Sequence, residues 1–99
     1  MALIITPNYE VTPIEPENGK FTLEQLQSIV EGYIEIVHIG EKELMIVNEE
    51  GLLRNMEVND VATTYLNIRK LYVGENPVTT PIVGDALFCN SSEIDEPSK

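Results

Sequence analysis

One stretch of the sequence, residues 21–51, constrains the fold more than any other, because several independent local signals agree in it. Thr22 is followed three residues later by Gln25, the spacing at which the two side chains cap each other's backbone N–H groups at the start of a helix. The next apolar residues recur at helical spacing: Leu23, Leu26, Ile29 and Val30. Gly32 then supplies a residue that adopts the left-handed conformation without steric cost. The stretch therefore opens with a short amphipathic helix that ends at Gly32.

The spacing changes from helical to strand-like immediately after Gly32. Apolar side chains alternate with their neighbours along residues 33–37, which is the two-residue period of a strand. A short polar connection at residues 40–42 precedes an apolar run at residues 44–47. The sequence therefore predicts a β-hairpin that begins directly at the end of the helix.

Two further strands are predicted before this helix. Residues 2–6 are almost continuously apolar, as in a strand that is covered on both faces. Pro7 and Asn8 favour a turn, and the alternation at residues 9–12 indicates a second strand that pairs back on the first.

A second helix and a last strand are predicted after the hairpin. Leu52, Leu53 and Met56 are apolar, but this stretch is short and irregular, which indicates a brief strand or an extended crossing. Asn59 is a favourable N-cap for a helix at about residues 60–71. The expected buried face of this helix consists of Val61, Ala62, Tyr65, Leu66 and Ile68. The apolar run at residues 82–89 predicts the last strand, in which Gly84 marks a bulge or a close backbone approach.

The predicted element order, ββαββαβ, is typical of the α+β class. We expect a single small domain over residues 1–89, with a mixed or mostly antiparallel sheet covered by two short helices. The near-continuous apolar first and last strands are expected at the centre of the sheet. Residues 90–99 contain little apolar surface, which predicts a flexible acidic tail.

The charge balance restricts the kinds of partner. The chain carries 17 acidic and 6 basic side chains, a formal net charge of −11. This excess disfavours direct binding to nucleic acid, whose phosphates require lysines and arginines. It is compatible with an acidic surface that occupies a basic groove of another protein, or simply with a well-solvated surface. No apolar run approaches the length of about 18 residues that a membrane span requires, and a basic leader is missing, so we expect a cytoplasmic protein.

The residue types that catalysis needs are scarce. His38 is the single histidine and Cys89 the single cysteine, so neither a cysteine–histidine pair nor a histidine or cysteine metal cluster is supported. No serine lies in a G-x-S-x-G pattern, and no glycine-rich phosphate-binding loop is present. We therefore expect a non-enzyme without a metal or a cofactor.

A small set of polar residues provides candidates for binding a ligand or a partner. Tyr33 and Glu35 share one strand face, where they line a pocket or form the exposed side of the sheet. Glu49 and Glu50 lie at the end of the hairpin, where they contact a partner or remain solvated. The candidates for binding a phosphate group are Arg54, Arg69 and Lys70. The full set of candidate binding residues is Tyr33, Glu35, Asn48, Glu49, Glu50, Arg54, Asn59 and Asp85.

An ordered set of short motifs runs through residues 1–89. These motifs are the apolar start ALIITP, the helix before Tyr33-Ile34-Glu35, the turn Asn48-Glu49-Glu50-Gly51, the helix-opening Asn59, and Ile82-Val83-Gly84-Asp85. Together they resemble a family of small uncharacterised proteins of bacteriophages, plasmids and integrative elements, mostly from Gram-positive hosts. The family pattern reads Gly-Gly-Tyr-Ile-Glu where this chain has Glu31 as the first residue, so a role that needs bare backbone at that position is in doubt. The segment before the last strand is also longer than the pattern implies.

The resemblance implies a setting and no catalytic residue. It suggests a mobile-element accessory protein that counters a host factor, an anti-defence role, in the cytoplasm of the host cell. Such a protein would dock on a host protein through its acidic surface or sequester a small nucleotide-like signal. The alternative is a structural or assembly module that forms a homo-oligomer through an exposed strand edge or helix face.

Overall fold

The first helix forms where the capping signals predict it. In the computed structural model, which describes residues 1–96, helix α1 spans Leu23–Val30. The N–H of Gln25 donates to Thr22 Oγ1 over 3.1 Å, and the N–H of Thr22 donates to Gln25 Oε1 over 2.8 Å. Leu26 and Val30 are buried, whereas Leu23 is 56% exposed. The capping box is therefore confirmed, and the buried stripe is narrower than the sequence indicates.

The expectation that Gly32 takes the left-handed conformation at the end of α1 is wrong. Glu31 takes it instead, with φ 64° and ψ 39°. The N–H of Gly32 donates to the carbonyl of Gln27 over 3.0 Å, which closes the last turn of the helix. Gly32 is required for a different reason, because a Cβ atom there would lie 2.7 Å from Asn48 Nδ2.

The hairpin after α1 is confirmed. Strand β3 spans Ile34–Ile39 and strand β4 spans Glu43–Asn48. They pair antiparallel, from Ile34 opposite Asn48 to Ile39 opposite Glu43. Gly40 begins the connection with φ 59°, a value that glycine adopts without strain.

The remaining elements complete one antiparallel sheet. Strand β1 spans Ala2–Ile5, β2 spans Val11–Ile14, helix α2 spans Asp60–Tyr72 and strand β5 spans Ala86–Asn90. The strand order is β2-β1-β5-β4-β3, and every neighbouring pair is antiparallel. The protein is thus an α+β domain, as predicted, with the last strand at the centre of the sheet.

Each face of the sheet carries its own hydrophobic core. The α1 side buries Ala2, Phe21, Leu26, Val30, Leu44, Ile46, Leu87, Cys89 and Ile94. The α2 side buries Ile5, Ile39, Met45, Val47, Ala62, Leu66, Ile82, Ala86 and Phe88. Because both faces are covered, the central strands lack the polar alternation of a sheet with one wet face. No helix within residues 1–96 is long and apolar enough to cross a membrane.

Three local expectations in the second half of the chain are wrong. Residues 52–55 form turns in place of a brief strand or an extended crossing, and Leu52 and Leu53 are exposed. Ile68 is also exposed, so the buried face of α2 is narrower than the sequence indicates. The last strand starts at Ala86, because the positive φ of 74° at Gly84 interrupts the extended backbone before it.

The predicted loose tail does not start at residue 90. Residues Ser91–Glu93 form a single 3₁₀ turn, and the side chains of Glu93 and Ile94 are buried. The N–H of Phe21 donates to the carbonyl of Glu93 over 2.7 Å, and Phe21 forms an isolated parallel β-bridge with Ile94. Ile94 contributes to the α1-side core, so the proposed boundary at residue 89 is wrong. The last part of the expected tail, residues 97–99, lies outside the described residues.

We expect Glu31→Gly to stabilise the fold by about 0.5–1 kcal/mol, because glycine relieves the strain of a side chain in the left-handed conformation. The matched control is Glu24→Gly, which makes the same change within α1 and should destabilise by about 1 kcal/mol. Urea unfolding of the three proteins measures both effects. A loss of stability in Glu31→Gly would contradict the assigned conformation.

Candidate functional site

A cleft of about 730 Å³ lies beside the hairpin. One wall is formed by the hairpin and the turn at residues 49–53, and the opposite wall by residues 76–81. Buried side chains form its floor: Val47, Ile82 and Val83. We call this surface the cleft.

The wall at residues 76–81 is held in place by side chains of α2. Pro77 and Pro81 disfavour helix in this segment. The N–H of Val78 donates to Asn67 Oδ1 over 2.8 Å, and the N–H of Ile82 donates to Thr63 Oγ1 over 2.9 Å. Because both anchors come from one helix, the wall is positioned relative to the sheet by α2.

The rim of the cleft is apolar and acidic. Leu52 and Leu53 are 58% and 83% exposed, which leaves two adjacent leucines in contact with water. Glu35 and Glu49 line the same cleft and are exposed. The rim therefore offers a partner both apolar surface to bury and carboxylates to pair with.

The basic group of the cleft is already neutralised. Lys70 lines the cleft, but its side chain is only 15% exposed, and its Nζ lies 3.3 Å from Glu75 Oε1. The N–H of Gly40 donates to Glu75 Oε2 over 3.2 Å. This hydrogen bond, with the Lys70 ammonium, lowers the pKa of Glu75 against the opposing effect of burial. The open charges of the cleft are therefore the carboxylates of Glu35 and Glu49.

The two arginines considered for phosphate binding have structural partners. Arg69 donates to both carboxylate oxygens of Glu43 over 2.7–3.1 Å and lies over the ring of Tyr72. Arg54 Nη1 donates to the carbonyl of Glu31 over 2.8 Å. Neither arginine lines the cleft.

Asn48 and Arg54 together satisfy the last carbonyls of α1. Asn48 Nδ2 donates to the carbonyl of Val30 over 3.0 Å, while Asn48 Oδ1 accepts the N–H of Glu50 over 2.7 Å. Arg54 holds the next carbonyl, that of Glu31. The carbonyls at a helix end lack partners within the helix, so these two side chains complete α1. The polar atoms of Asn48 are thereby occupied, although the residue lines the cleft.

Asn59 has a similar structural role at the start of α2. Its side chain is fully buried, and its Oδ1 accepts the N–H of Ala62 over 3.0 Å. Its Nδ2 donates to the carbonyls of Ile5 and Gly84 over 2.9 and 2.8 Å. The predicted N-cap is confirmed, and the same amide joins α2 to β1 and to the segment before β5.

The structure brings together only part of the candidate set. Glu35, Asn48 and Glu49 line the cleft. The other candidates lie outside its lining: Tyr33, Glu50, Arg54, Asn59 and Asp85. Tyr33 is 66% exposed, and Asp85 lies in a separate hollow of about 180 Å³.

Leu52, Leu53 and the wall at residues 76–81 were not predicted as binding residues from the sequence. The adjacent leucines after the polar turn were a detectable signal, because two neighbouring apolar residues in a turn are not both easily buried. The wall had no comparable signal, since its position depends on hydrogen bonds from Thr63 and Asn67.

The histidine and the cysteine lie apart from the cleft. His38 is exposed, with Nε2 2.9 Å from Glu96 Oε2. Cys89 is buried, and burial raises the pKa of its thiol to about 12, so the thiolate is scarce at neutral pH. Within residues 1–96, no group of three or more histidine, cysteine or acidic residues is placed to hold a metal ion.

We expect Asn59→Ala to destabilise the protein by about 2–4 kcal/mol, because the change removes a helix cap and leaves two carbonyls without their buried donor. Asn8→Ala, at an exposed turn, is the matched control and should change stability by less than about 0.5 kcal/mol. Chemical unfolding measures the difference. Equal stability of the two variants would contradict the role of Asn59.

We expect Asp85→Asn to raise the melting temperature at pH 7. Burial, with repulsion from Glu31 and Glu10, raises the pKa of Asp85 in the folded protein above its ordinary value of 3.8. Ionisation of Asp85 therefore opposes folding, and the stability present at low pH is lost as pH rises through the raised folded pKa. The gain from Asp85→Asn should consequently disappear below about pH 4. Thermal unfolding from pH 3 to pH 7 tests this, and a gain that persists at pH 3 would assign it to another cause.

Comparison with known proteins gives a family and no activity. No curated protein and no solved structure matches the sequence. The model of a domain of unknown function, DUF3846, matches residues 1–98. Since the match extends over almost the whole sequence, the chain belongs to the DUF3846 family of domains of unknown function.

Proposed function

We propose that this protein acts by binding a host protein, without catalysing a reaction, and that the cleft is where the host protein docks. The observation that carries this proposal is the exposed Leu52–Leu53 pair beside the open carboxylates of Glu35 and Glu49. Burial of exposed leucines supplies binding free energy. The carboxylates select a partner with lysine or arginine at the matching positions.

The proposed biological setting is a mobile genetic element in a bacterial host. The motif resemblance supports it, and so does the small size of the domain, which suits a protein that acts by stoichiometric binding. In this setting the protein would counter a host factor, an anti-defence role, in the cytoplasm of the host cell.

Sequestration of a small nucleotide-like signal is less well supported than protein docking. A phosphate group needs donors or cations, and the cation that lines the cleft, Lys70, is mostly buried and paired with Glu75. The arginines considered for this role are bound to Glu43 and to the carbonyl of Glu31. Open carboxylates at the rim would repel an anionic ligand.

Self-association is a second candidate function, because β3 lies at an edge of the sheet with one neighbouring strand. A strand edge is able to pair with the same edge of another copy. The net charge of −11 opposes this arrangement, since two copies bring the same excess of carboxylates together.

An affinity capture from bacterial host lysate tests the docking proposal. The wild-type protein is compared with Glu35→Lys/Glu49→Lys, which reverses the rim charge, and with Glu15→Lys/Glu17→Lys. The control makes the same charge change in the loop after β2, which is at the opposite edge of the sheet. We expect a host protein whose recovery falls about tenfold in the rim variant, equivalent to about 1.4 kcal/mol of binding free energy, and is unchanged in the control.

Small molecules that co-purify with the wild-type protein are identified by mass spectrometry. Recovery of the host protein that is equal in both charge variants would contradict docking at the cleft. A nucleotide that co-purifies with the wild type, in the absence of a captured protein, would favour sequestration instead. Circular dichroism of each variant confirms that the fold is retained.

A further inference from the structure

Strand β3 is an open edge that contains no proline and no bulge, and its carboxylate belongs to Glu35. In the order β2-β1-β5-β4-β3, it pairs only with β4. The opposite edge strand, β2, contains Pro13, which lacks an N–H and so interrupts further pairing. Strand β3 contains no proline or lysine, and its register with β4 is unbroken. Native proteins commonly protect an edge with such features, so their absence from β3 is informative.

The phase of the β3–β4 ladder identifies which backbone groups point outward. The N–H of Glu49 donates to the carbonyl of Tyr33 over 2.9 Å, immediately beside the pair Ile34–Asn48. In an antiparallel ladder, hydrogen-bonded and non-hydrogen-bonded pairs alternate. Glu35, Val37 and Ile39 therefore direct their N–H and C=O groups toward β4. The groups that point away from the sheet belong to Ile34, Ile36 and His38, and no other group within residues 1–96 pairs with them.

The two faces beside this edge differ in chemistry. On the α1 side, Ile34 and Ile36 line an apolar hollow of about 190 Å³ together with Leu23. On the α2 side, Glu35 and Val37 line the cleft. A strand added beside β3 would therefore place alternate side chains against apolar surface and against carboxylates.

We propose that the partner supplies an extended segment that adds to β3 as a sixth, antiparallel strand, with apolar residues alternating with lysine or arginine. This inference rests on the proposed function and specifies the segment that the cleft accepts. The apolar residues pack on Ile34, Ile36 and Leu23, and the basic residues reach Glu35 and Glu49. Main-chain hydrogen bonds to the open edge supply affinity, and the alternating faces supply selectivity.

The net negative charge of the chain favours a basic segment over a second copy of this protein as the strand that adds to β3. Lys20, Arg69 and Lys70 are paired with carboxylates, and Arg54 binds a carbonyl. Glu35 and Glu49, by contrast, present open carboxylates to the cleft. A segment that carries lysine or arginine complements this edge, whereas another copy adds further negative charge.

The probe is a capped peptide, Lys-Val-Lys-Val-Lys-Val-Lys, titrated into ¹⁵N-labelled protein. We expect amide exchange at Ile34, Ile36 and His38 to be fast in the free protein and to slow by about tenfold or more with the peptide bound. The amides of Glu35, Val37 and Ile39 should be protected in both states, because they already pair with β4. A peptide with glutamate in place of lysine is expected not to bind.

Two N-methylated forms of the peptide separate strand addition from simple charge attraction. In antiparallel pairing, residues directly opposite each other share a face, so the valines direct their N–H groups toward β3. Methylation of the backbone nitrogens of the three valines should weaken binding by about tenfold or more, since it removes these donors. Methylation of the backbone nitrogens of the lysines should leave the affinity unchanged, because those N–H groups point away from β3. Equal affinity of the two methylated peptides would overturn the proposal.

Protein variants provide the matching control. Glu35→Lys should weaken peptide binding by about fivefold or more, and Glu15→Lys, at the opposite side of the sheet, should not. Peptide binding that perturbs the cleft without protecting Ile34, Ile36 and His38 would overturn strand addition and leave the proposed docking function standing. Concentration-dependent protection of the same amides without peptide, with a dimer in sedimentation, would overturn the assigned partner in favour of a second copy.

Discussion

The close approach of Gly32 to the amide of Asn48 is the constraint on which the helix–hairpin unit depends. A side chain at residue 32 would meet Asn48 Nδ2 at 2.7 Å, so the amide would lose its position against the carbonyl of Val30. The same amide accepts the N–H of Glu50 and thereby fixes the turn after β4. One buried side chain thus joins the end of α1, the end of β4 and the turn that presents Glu49 to the cleft. The position of Glu49 at the acidic rim therefore depends on the hydrogen bonds of Asn48.

The short motifs that this chain shares with the family pattern have mainly structural roles. Gly51 is required because a Cβ there would lie 2.6 Å from Val83 Cγ2. Gly84 combines a positive φ with a close approach to Met56 Sδ, at 2.8 Å from an added Cβ, and its carbonyl accepts a hydrogen bond from Asn59. The isolated glycines and asparagines of these motifs therefore lie where two segments of the chain pack closely against each other. This accounts for why the motifs describe the fold without identifying a reaction.

The sequence predicted the features that depend on neighbouring residues and missed those that depend on distant ones. The capping box of α1, the hairpin and the Asn59 cap are local, and all three are confirmed. The left-handed conformation of Glu31 was not predicted. Glycine is preferred over glutamate in this conformation by about 1 kcal/mol. The close approach of Gly32 to Asn48 and the hydrogen bond from Arg54 to the carbonyl of Glu31 outweigh that preference. The order at residues 90–96 depends on pairing with Phe21, far away in the sequence. The cleft was only partly predictable for the same reason, since its second wall is fixed by Thr63 and Asn67.

The excess of carboxylates offers a physical reason why an unprotected strand edge is tolerated in this chain. An open edge invites pairing with any extended backbone, including that of another copy. Here the strand itself lacks proline and lysine, so protection has to come from elsewhere. Like charges on two approaching copies repel over about 8–10 Å at physiological ionic strength, before main-chain hydrogen bonds form. A cationic segment meets no such barrier and is attracted to Glu35 and Glu49. We therefore expect the same charge to disfavour self-pairing and to admit a basic strand, so that the acidic composition contributes to the proposed selectivity of the edge.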